Sequence, residues 1–152
     1  MPLHDDKAIR QLLDSVTTIA LVGASDKPHR ASHEVMAFLQ HHGYRVIPVN
    51  PRLAGRTLLG ECVYATLADI PEPVDLVDVF LAPARTDEVI DRAIALGMPA
   101  IWLQIGVINE TGAARAERAG LVVVMDRCPK REIPRLGIRS PEASRNTAAD
   151  SR

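Results

Sequence analysis

The sequence predicts an α/β fold: one domain built on a doubly wound sheet of about five parallel strands, with an N-terminal helix and a disordered C-terminal tail. Three observations carry this expectation. The chain has 152 residues, the length of one compact core. Its short apolar runs are rich in Val, Ile and Leu and mostly continuous, as strands covered on both faces require. Between them lie segments of helical periodicity that stop at a glycine, so that helix, glycine and strand recur as a unit. The expected divisions are residues 1–17, 18–136 and 137–152.

The N-terminal helix is expected over Asp5–Asp14. Thr18–Val22 (TIALV) is the first strand. Ser32–His42 follows as a helix, with Val35, Met36, Leu39 and His42 at helical spacing and Gly43 as its C′ residue. Tyr44–Val49 (YRVIPV) is the second strand, weakened at its end by Pro48, which cannot donate to a ladder. Residues 51–73 form a long connection with a short helix near Ala68. Leu76–Leu81 (LVDVFL) is the third strand. The next helix, Thr86–Leu96, places Val89, Ile90, Ala93 and Ile94 on one face and stops at Gly97. Ala100–Ile105 (AIWLQI) is the fourth strand. Asn109–Ala119 starts on a good N-cap type and stops at Gly120, although its Ala-rich face is expected to bury little. Leu121–Met125 (LVVVM) is the fifth strand. Crossovers between parallel strands are right-handed. From Gly137 the chain is polar and aperiodic. Seven basic and three acidic residues lie from Arg127 to the end, read as a solvated mobile end in preference to a docking tail.

Composition excludes several classes. With 18 Lys and Arg against 19 Asp and Glu, the formal charge of −1 does not suit a broadly basic nucleic-acid binder. Two Phe, two Tyr and one Trp cannot make a base-stacking surface. No apolar run is long enough to span a membrane, and MPLHDDK lacks the form of a signal peptide. Cys62 and Cys128 alone make no disulfide framework, so a reducing cytoplasm is the simplest expected location.

In an open parallel sheet, ligands bind beyond the carboxyl ends of the strands, where strand order reverses. The first turn there reads Gly23-Ala24-Ser25-Asp26-Lys27-Pro28-His29-Arg30-Ala31-Ser32. Gly23 permits a sharp turn, Ser25 offers a hydroxyl, and the following helix start offers unpaired N–H groups and a favourable dipole. Lys27 and Arg30 add full charges. The set suits a phosphate or pyrophosphate; the plainer alternative is a βα turn with ordinary surface cations. Neither a G-x-G-x-x-G spacing nor a Walker A loop is present. At the end of the second strand, Val49-Asn50-Pro51-Arg52 has no acid to accept from ribose hydroxyls. Arg52 would instead favour a phosphate on the adenosine ribose, as in coenzyme A or NADP, with an ordinary surface arginine as the alternative.

The segments VGASDKPHRASHEV, GYRVIPVNP, VDLVDVFLAP, IWLQIGV and VVVMDRC, in that order, resemble the small bacterial coenzyme A-binding proteins. Their Rossmann-like domain is similar to the N-terminal domain of the succinyl-CoA synthetase alpha subunit. The resemblance runs from about Thr18 to Leu136. It implies that Gly23, Ser25, Asp26, Lys27 and Pro28 form a phosphate-contacting turn, joined by Arg30, and that Asn50, Pro51 and Arg52 lie near the adenosine phosphate. It further implies that Pro83 packs against adenine or ribose, and that Gln104, Ile105 and Gly106 mark where the pantetheine arm leaves the domain. The implied cofactor is coenzyme A, free or acylated.

The synthetase subunit carries a phosphorylated histidine in a second domain. The histidines of this chain, at 4, 29, 33, 41 and 42, all precede the second strand. His41 and His42 are expected in solvent at a helix end, and His29 borders the phosphate turn. The i,i+4 spacing of His29 and His33 is a weak metal signal, and no metal is expected. Cys128 follows the fifth strand among Arg127, Lys130 and Arg131. It is read first as an inert, partly buried thiol and second as a site for a mixed disulfide with the coenzyme A thiol. Trp102 and Phe80 are expected in the core. Asp75 and Asp78 flank a strand and make no acid–base pair. The preferred reading is a coenzyme A or acyl-CoA binding module with no catalytic apparatus. The alternatives are the cofactor-binding subunit of a multi-chain acyl-CoA synthetase or transferase, and, less favoured, an NADP-binding oxidoreductase. The expected partner is thus a small-molecule ligand, with neither nucleic acid nor membrane; a homo-oligomer and a partner enzyme subunit both stay open.

Overall fold

In the computed structural model, which describes residues 1–141, the continuous apolar runs form five strands of one parallel sheet. They are β1 (Thr18–Val22), β2 (Arg45–Val49), β5 (Leu76–Val79), β6 (Ala100–Leu103) and β7 (Val122–Met125). A two-stranded antiparallel hairpin, β3 (Thr57–Leu58) and β4 (Glu61–Cys62), lies in the long connection. The helices are α1 (Asp6–Ser15), α2 (Ala31–His42), α3 (Thr86–Ala95), α4 (Glu110–Arg118) and α5 (Pro129–Leu136). Spatial order in the sheet is β2-β1-β5-β6-β7. The chain leaves β1 for β2 on one side and returns to β5 on the other, so the order reverses between β1 and β5. This is the Rossmann-like, doubly wound arrangement.

Both faces are covered, which is why the strands read as continuous apolar runs. Ile19, Leu21, Leu76 and Trp102 face α1, α2 and α5, meeting Ile9, Leu13, Met36, Leu39 and Ile133. Ala20, Val77, Val79, Ile101 and Leu103 face the other way, onto Val89, Ile90, Ala113 and Ala116 of α3 and α4. The Ala-rich face of α4 therefore buries more than its composition suggests: Gly112 is also covered, and a Cβ there would meet Ile90 Cδ1 at 2.7 Å. Asn109 does cap this helix, its side chain accepting from the Gly112 N–H at 2.9 Å. Pro48 sits within β2 without harm because β2 is an edge strand.

Several expectations change. The hairpin escapes the eye because its turn, Leu59-Gly60, puts a leucine at φ 47° ahead of glycine at φ 83°; a two-residue turn with both φ positive usually carries Asn or Gly first. Helix α5 contains Pro134, which reads as a breaker, yet Pro129 at its start and Gly137 in a left-handed C-cap frame it well. Glu132, buried on α5, takes Arg127 at 3.1 Å and Arg135 at 2.7 Å, and Arg135 also grips both oxygens of Asp6 on α1. Part of the basic excess near the C-terminus is thus internal. Ile138 is buried against the core, so the packed domain continues past the expected start of the tail; residues 142–152 of that expected tail lie outside the described residues. His42 is half-buried, its ring stacked between Phe38 and Tyr44, because Tyr44 turns inward to donate to Leu13 O at 2.6 Å. Phe80 is only partly buried. Among the described residues, no helix is long and apolar enough to cross a membrane.

Candidate functional site

The carboxyl edge of the sheet brings four turns together. Immediately after β1, Gly23 adopts φ +88°, and a Cβ there would lie 2.2 Å from Phe80 O. Glycine is required here twice over: for the left-handed backbone and for the close approach of the β5 turn. The N–H groups of Gly23 and Ala24 both donate to Val49 O, at 3.0 and 3.3 Å, while Phe80 N–H donates to Val22 O at 2.8 Å. The turns after β1, β2 and β5 are therefore fastened to one another by backbone.

Within the first turn, Ser25 Oγ accepts from Lys27 N–H at 3.1 Å. Asp26, Lys27, Pro28, His29 and Arg30 are exposed. Arg30 is the N-cap of α2 and makes no side-chain cap, leaving the helix start without an internal acceptor from that residue. This is the local arrangement that favours an anion. Asn50 braces the neighbouring turn: its Nδ2 donates to Ala24 O at 2.7 Å and its Oδ1 accepts from Arg52 N–H at 2.8 Å. Pro51 and Arg52, exposed, begin a short 3-10 turn held by that bond. Asn50 thus sets the conformation of both turns, a role its residue type alone does not reveal.

Beyond Arg52 the chain folds back over the β2 edge, with Tyr64 N–H donating to Pro48 O and Asn50 N–H to Tyr64 O. This places Arg56 opposite Asp26, with 3.9 Å between Nη1 and Oδ2. The pair borders a small cleft of about 210 Å³, lined also by Leu53 and Leu58. Arg56 is a cation of the candidate site that the sequence did not single out; its only signal was a basic residue in a patternless connection.

After β5, Pro83 opens an exposed 3-10 turn that runs into α3. After β6, Gln104 turns inward and is buried, while Ile105 and Gly106 stay exposed. The Gln104 amide, oriented to satisfy both groups, donates to Asp78 at 2.6 Å. Asp78 does not flank its strand. It lies within β5, fully buried, and burial holds its carboxyl well above the usual carboxylate range. Asp75 is the residue at the strand's edge, and its Oδ2 accepts from the N–H groups of Thr17 and Thr18 at 3.0 and 2.9 Å.

A larger cavity of about 740 Å³ opens beside the β6 and β7 turns, within the size range of small-molecule sites. Ile105, Ile108, Met125, Asp126, Cys128 and Ala113 contribute to its wall. Asp126 has φ +61°, uncommon outside glycine, and its carboxylate accepts from Gly106 N–H at 2.8 Å, tying the β7 turn to the β6 turn. Cys128 is buried at the N-cap of α5. Among the described residues, no three His, Cys, Asp or Glu side chains are grouped to hold a metal.

Residues 17–134 match the family described as CoA binding domain. The uncharacterised protein YneT of Bacillus subtilis (strain 168) is 35% identical over 122 residues, covering 80% of this chain and 89% of that one. A hypothetical protein from Pyrococcus horikoshii OT3 shares 40% identity and superposes with a TM-score of 0.84, covering 90% of this chain and 96% of that chain. The fold alone is shared with the dinucleotide-forming acetyl-coenzyme A synthetase 1 of Ca. Korarchaeum cryptofilum. That likeness has a TM-score of 0.63 at 23% identity and covers 72% of this chain and 26% of that chain. The family match runs from the residue before β1 into α5, and this chain belongs to the CoA binding domain family.

Proposed function

We propose that the protein binds coenzyme A or an acyl-CoA along the carboxyl edge of its sheet and acts as a holder of the cofactor without catalysing a reaction on it. One observation supports this reading: the turns that carry Lys27, Arg30 and Arg52 are joined through Asn50, Arg56 lies opposite Asp26 of the first of them, and the start of α2 has no side-chain cap. A ligand with phosphates both on its ribose and in a pyrophosphate matches that distribution of charge. Gly23, Ser25, Asp26, Lys27, Pro28 and Arg30 would hold the pyrophosphate. Asn50, Pro51 and Arg52, with Arg56, would face the adenosine phosphate, and Pro83 would pack on adenine or ribose. Ile105 and Gly106 would guide the pantetheine arm, with Gln104 supporting their turn from beneath.

Isothermal titration with coenzyme A tests the reading, and no heat at high micromolar ligand with folded protein rejects it. Arg52→Ala is expected to weaken coenzyme A about tenfold, the value of one charge-assisted hydrogen bond, and its 3′-dephospho form much less. Equal losses would remove Arg52 from the adenosine phosphate. Thermal protection by NADPH but not by coenzyme A would favour the dinucleotide reading instead.

The shared fold with an acetyl-coenzyme A synthetase motivates a second reading, a cofactor-binding subunit completed by another polypeptide. Purification from native extract discriminates: a lone species without acyl-CoA-forming activity counts against it.

A further inference from the structure

Resting on the coenzyme A reading, we infer that the cavity between the N-terminal segment, α4 and the β7–α5 turn receives the acyl group of an acyl-CoA, and that this group is uncharged. The placement is geometric. Phosphates held at the turn after β1 lie three strand spacings from β7, ~14 Å, which an extended pantetheine arm crosses. Ile105, already on the path of that arm, is also part of the cavity wall. An acyl group at the end of the arm enters there.

The wall has the chemistry of an alkyl acceptor. Ile105 and Ile108 are 48% and 47% exposed, large apolar side chains left open to solvent among the described residues. Ala113, Ala114 and Met125 continue the apolar surface inward. The N-terminal segment closes one side, fastened to the β7 edge by Leu3 N–H donating to Val123 O at 2.8 Å, with Pro2 and His4 facing the cavity. The charged lining does not invite a carboxylate: Glu117 is paired with the N-terminal ammonium of Met1 and Arg127 with Glu132, which leaves Glu110 and Asp126 against Arg131, a net excess of negative charge. A volume of about 740 Å³ has room beyond a bare thiol.

Titrations with coenzyme A, butyryl-CoA, hexanoyl-CoA and succinyl-CoA test the inference. Each buried methylene is expected to tighten binding about fourfold, so hexanoyl-CoA should bind at least about tenfold tighter than coenzyme A. Succinyl-CoA should bind no tighter than coenzyme A. Ala114→Trp, which fills the cavity from a half-buried position, should abolish the hexanoyl preference while leaving coenzyme A binding unchanged. Ile108→Glu, at an exposed position that tolerates charge, provides the same test should the tryptophan disturb folding. Equal affinity for coenzyme A and hexanoyl-CoA in the unmodified protein overturns the acyl assignment and leaves the coenzyme A reading standing. A hexanoyl preference that survives in the folded variants overturns the location, and a succinyl preference overturns the uncharged class. Failure to bind any of the four rejects the coenzyme A reading itself.

Discussion

Replacing Gly23 by alanine should be the most damaging single-methyl change at the candidate site. Two separate costs meet there. Any non-glycine residue at a left-handed φ loses about 1–2 kcal/mol, and Gly23 has φ +88°. The added Cβ would also lie 2.2 Å from Phe80 O and 2.9 Å from Phe80 C, both backbone atoms. No side-chain rotation relieves that contact, so β1 and the β5 turn must separate. Overpacking of this kind costs roughly 1–3 kcal/mol, and losing the Phe80 N–H to Val22 O bond would add about 1 kcal/mol. Gly97 supplies the control: its φ is +68°, but nothing lies within 4 Å of its Cβ position. Gly97→Ala should therefore cost only about 1 kcal/mol, while Gly23→Ala should cost about 3 kcal/mol or more. Urea denaturation of both variants, read as midpoint shifts at constant slope, measures the difference. Equal destabilisation would refute the close approach as the reason for glycine at position 23.

Other expectations follow from single contacts. Trp102→Phe removes a fully buried indole N–H that donates to Arg127 O at 2.7 Å. It should cost about 2–3 kcal/mol through the orphaned carbonyl and the lost volume, measurable by the same denaturation. Asp78 binds its proton more tightly folded than unfolded, so stability should fall as pH rises from about 4 toward the raised folded value; Asp78→Asn should flatten that slope. Asp6 behaves oppositely: hydrogen bonding to Arg135 lowers its folded pKa. Its contribution is present above the unfolded value of 3.8 and is lost as pH falls through the lower folded one. An Arg135→Ala variant should lack that acid-limb loss in a pH-resolved melt. Asn50→Ala should weaken coenzyme A binding in titration, although Asn50 is placed to brace two turns, because Ala24 O and Arg52 N–H lose their shared partner.

The sheet was legible because burial on both faces leaves a strong trace: Thr18–Val22 and Ala100–Leu103 need no partner to read as covered strands. The first turn stands out as a candidate because Gly23, Lys27 and Arg30 differ in kind from their surroundings. What escaped notice depends on neighbours distant in sequence. Arg56 reaches the site only because the hairpin folds over β2, and that hairpin turns on Leu59, an unfavoured residue for the conformation. Helix α5 is framed by Gly137 and fastened by Asp6, at the other end of the described chain, both able to offset the disfavoured Pro134. Asp78 and Gln104 read as a strand-flanking acid and a turn residue; only the stacking of β5 beside β6 reveals that each answers the other. Asp126 carried no signal, since aspartate in a turn is ordinary until its φ is known.

The reversal of strand order between β1 and β5 also governs when a ligand can act during the life of the chain. β1 is synthesised before both of its partners: one edge takes β2, the other takes β5, and the cavity needs β7. A ligand laid across the turns after β1, β2, β5 and β6 meets all of its contacts only once β6 has joined the sheet. It cannot assist a partly emerged chain and instead rewards the complete one by mass action. Long-range parallel pairing folds slowly, so under the proposed function abundance of the folded protein should follow coenzyme A supply after synthesis, through slower loss of the native state.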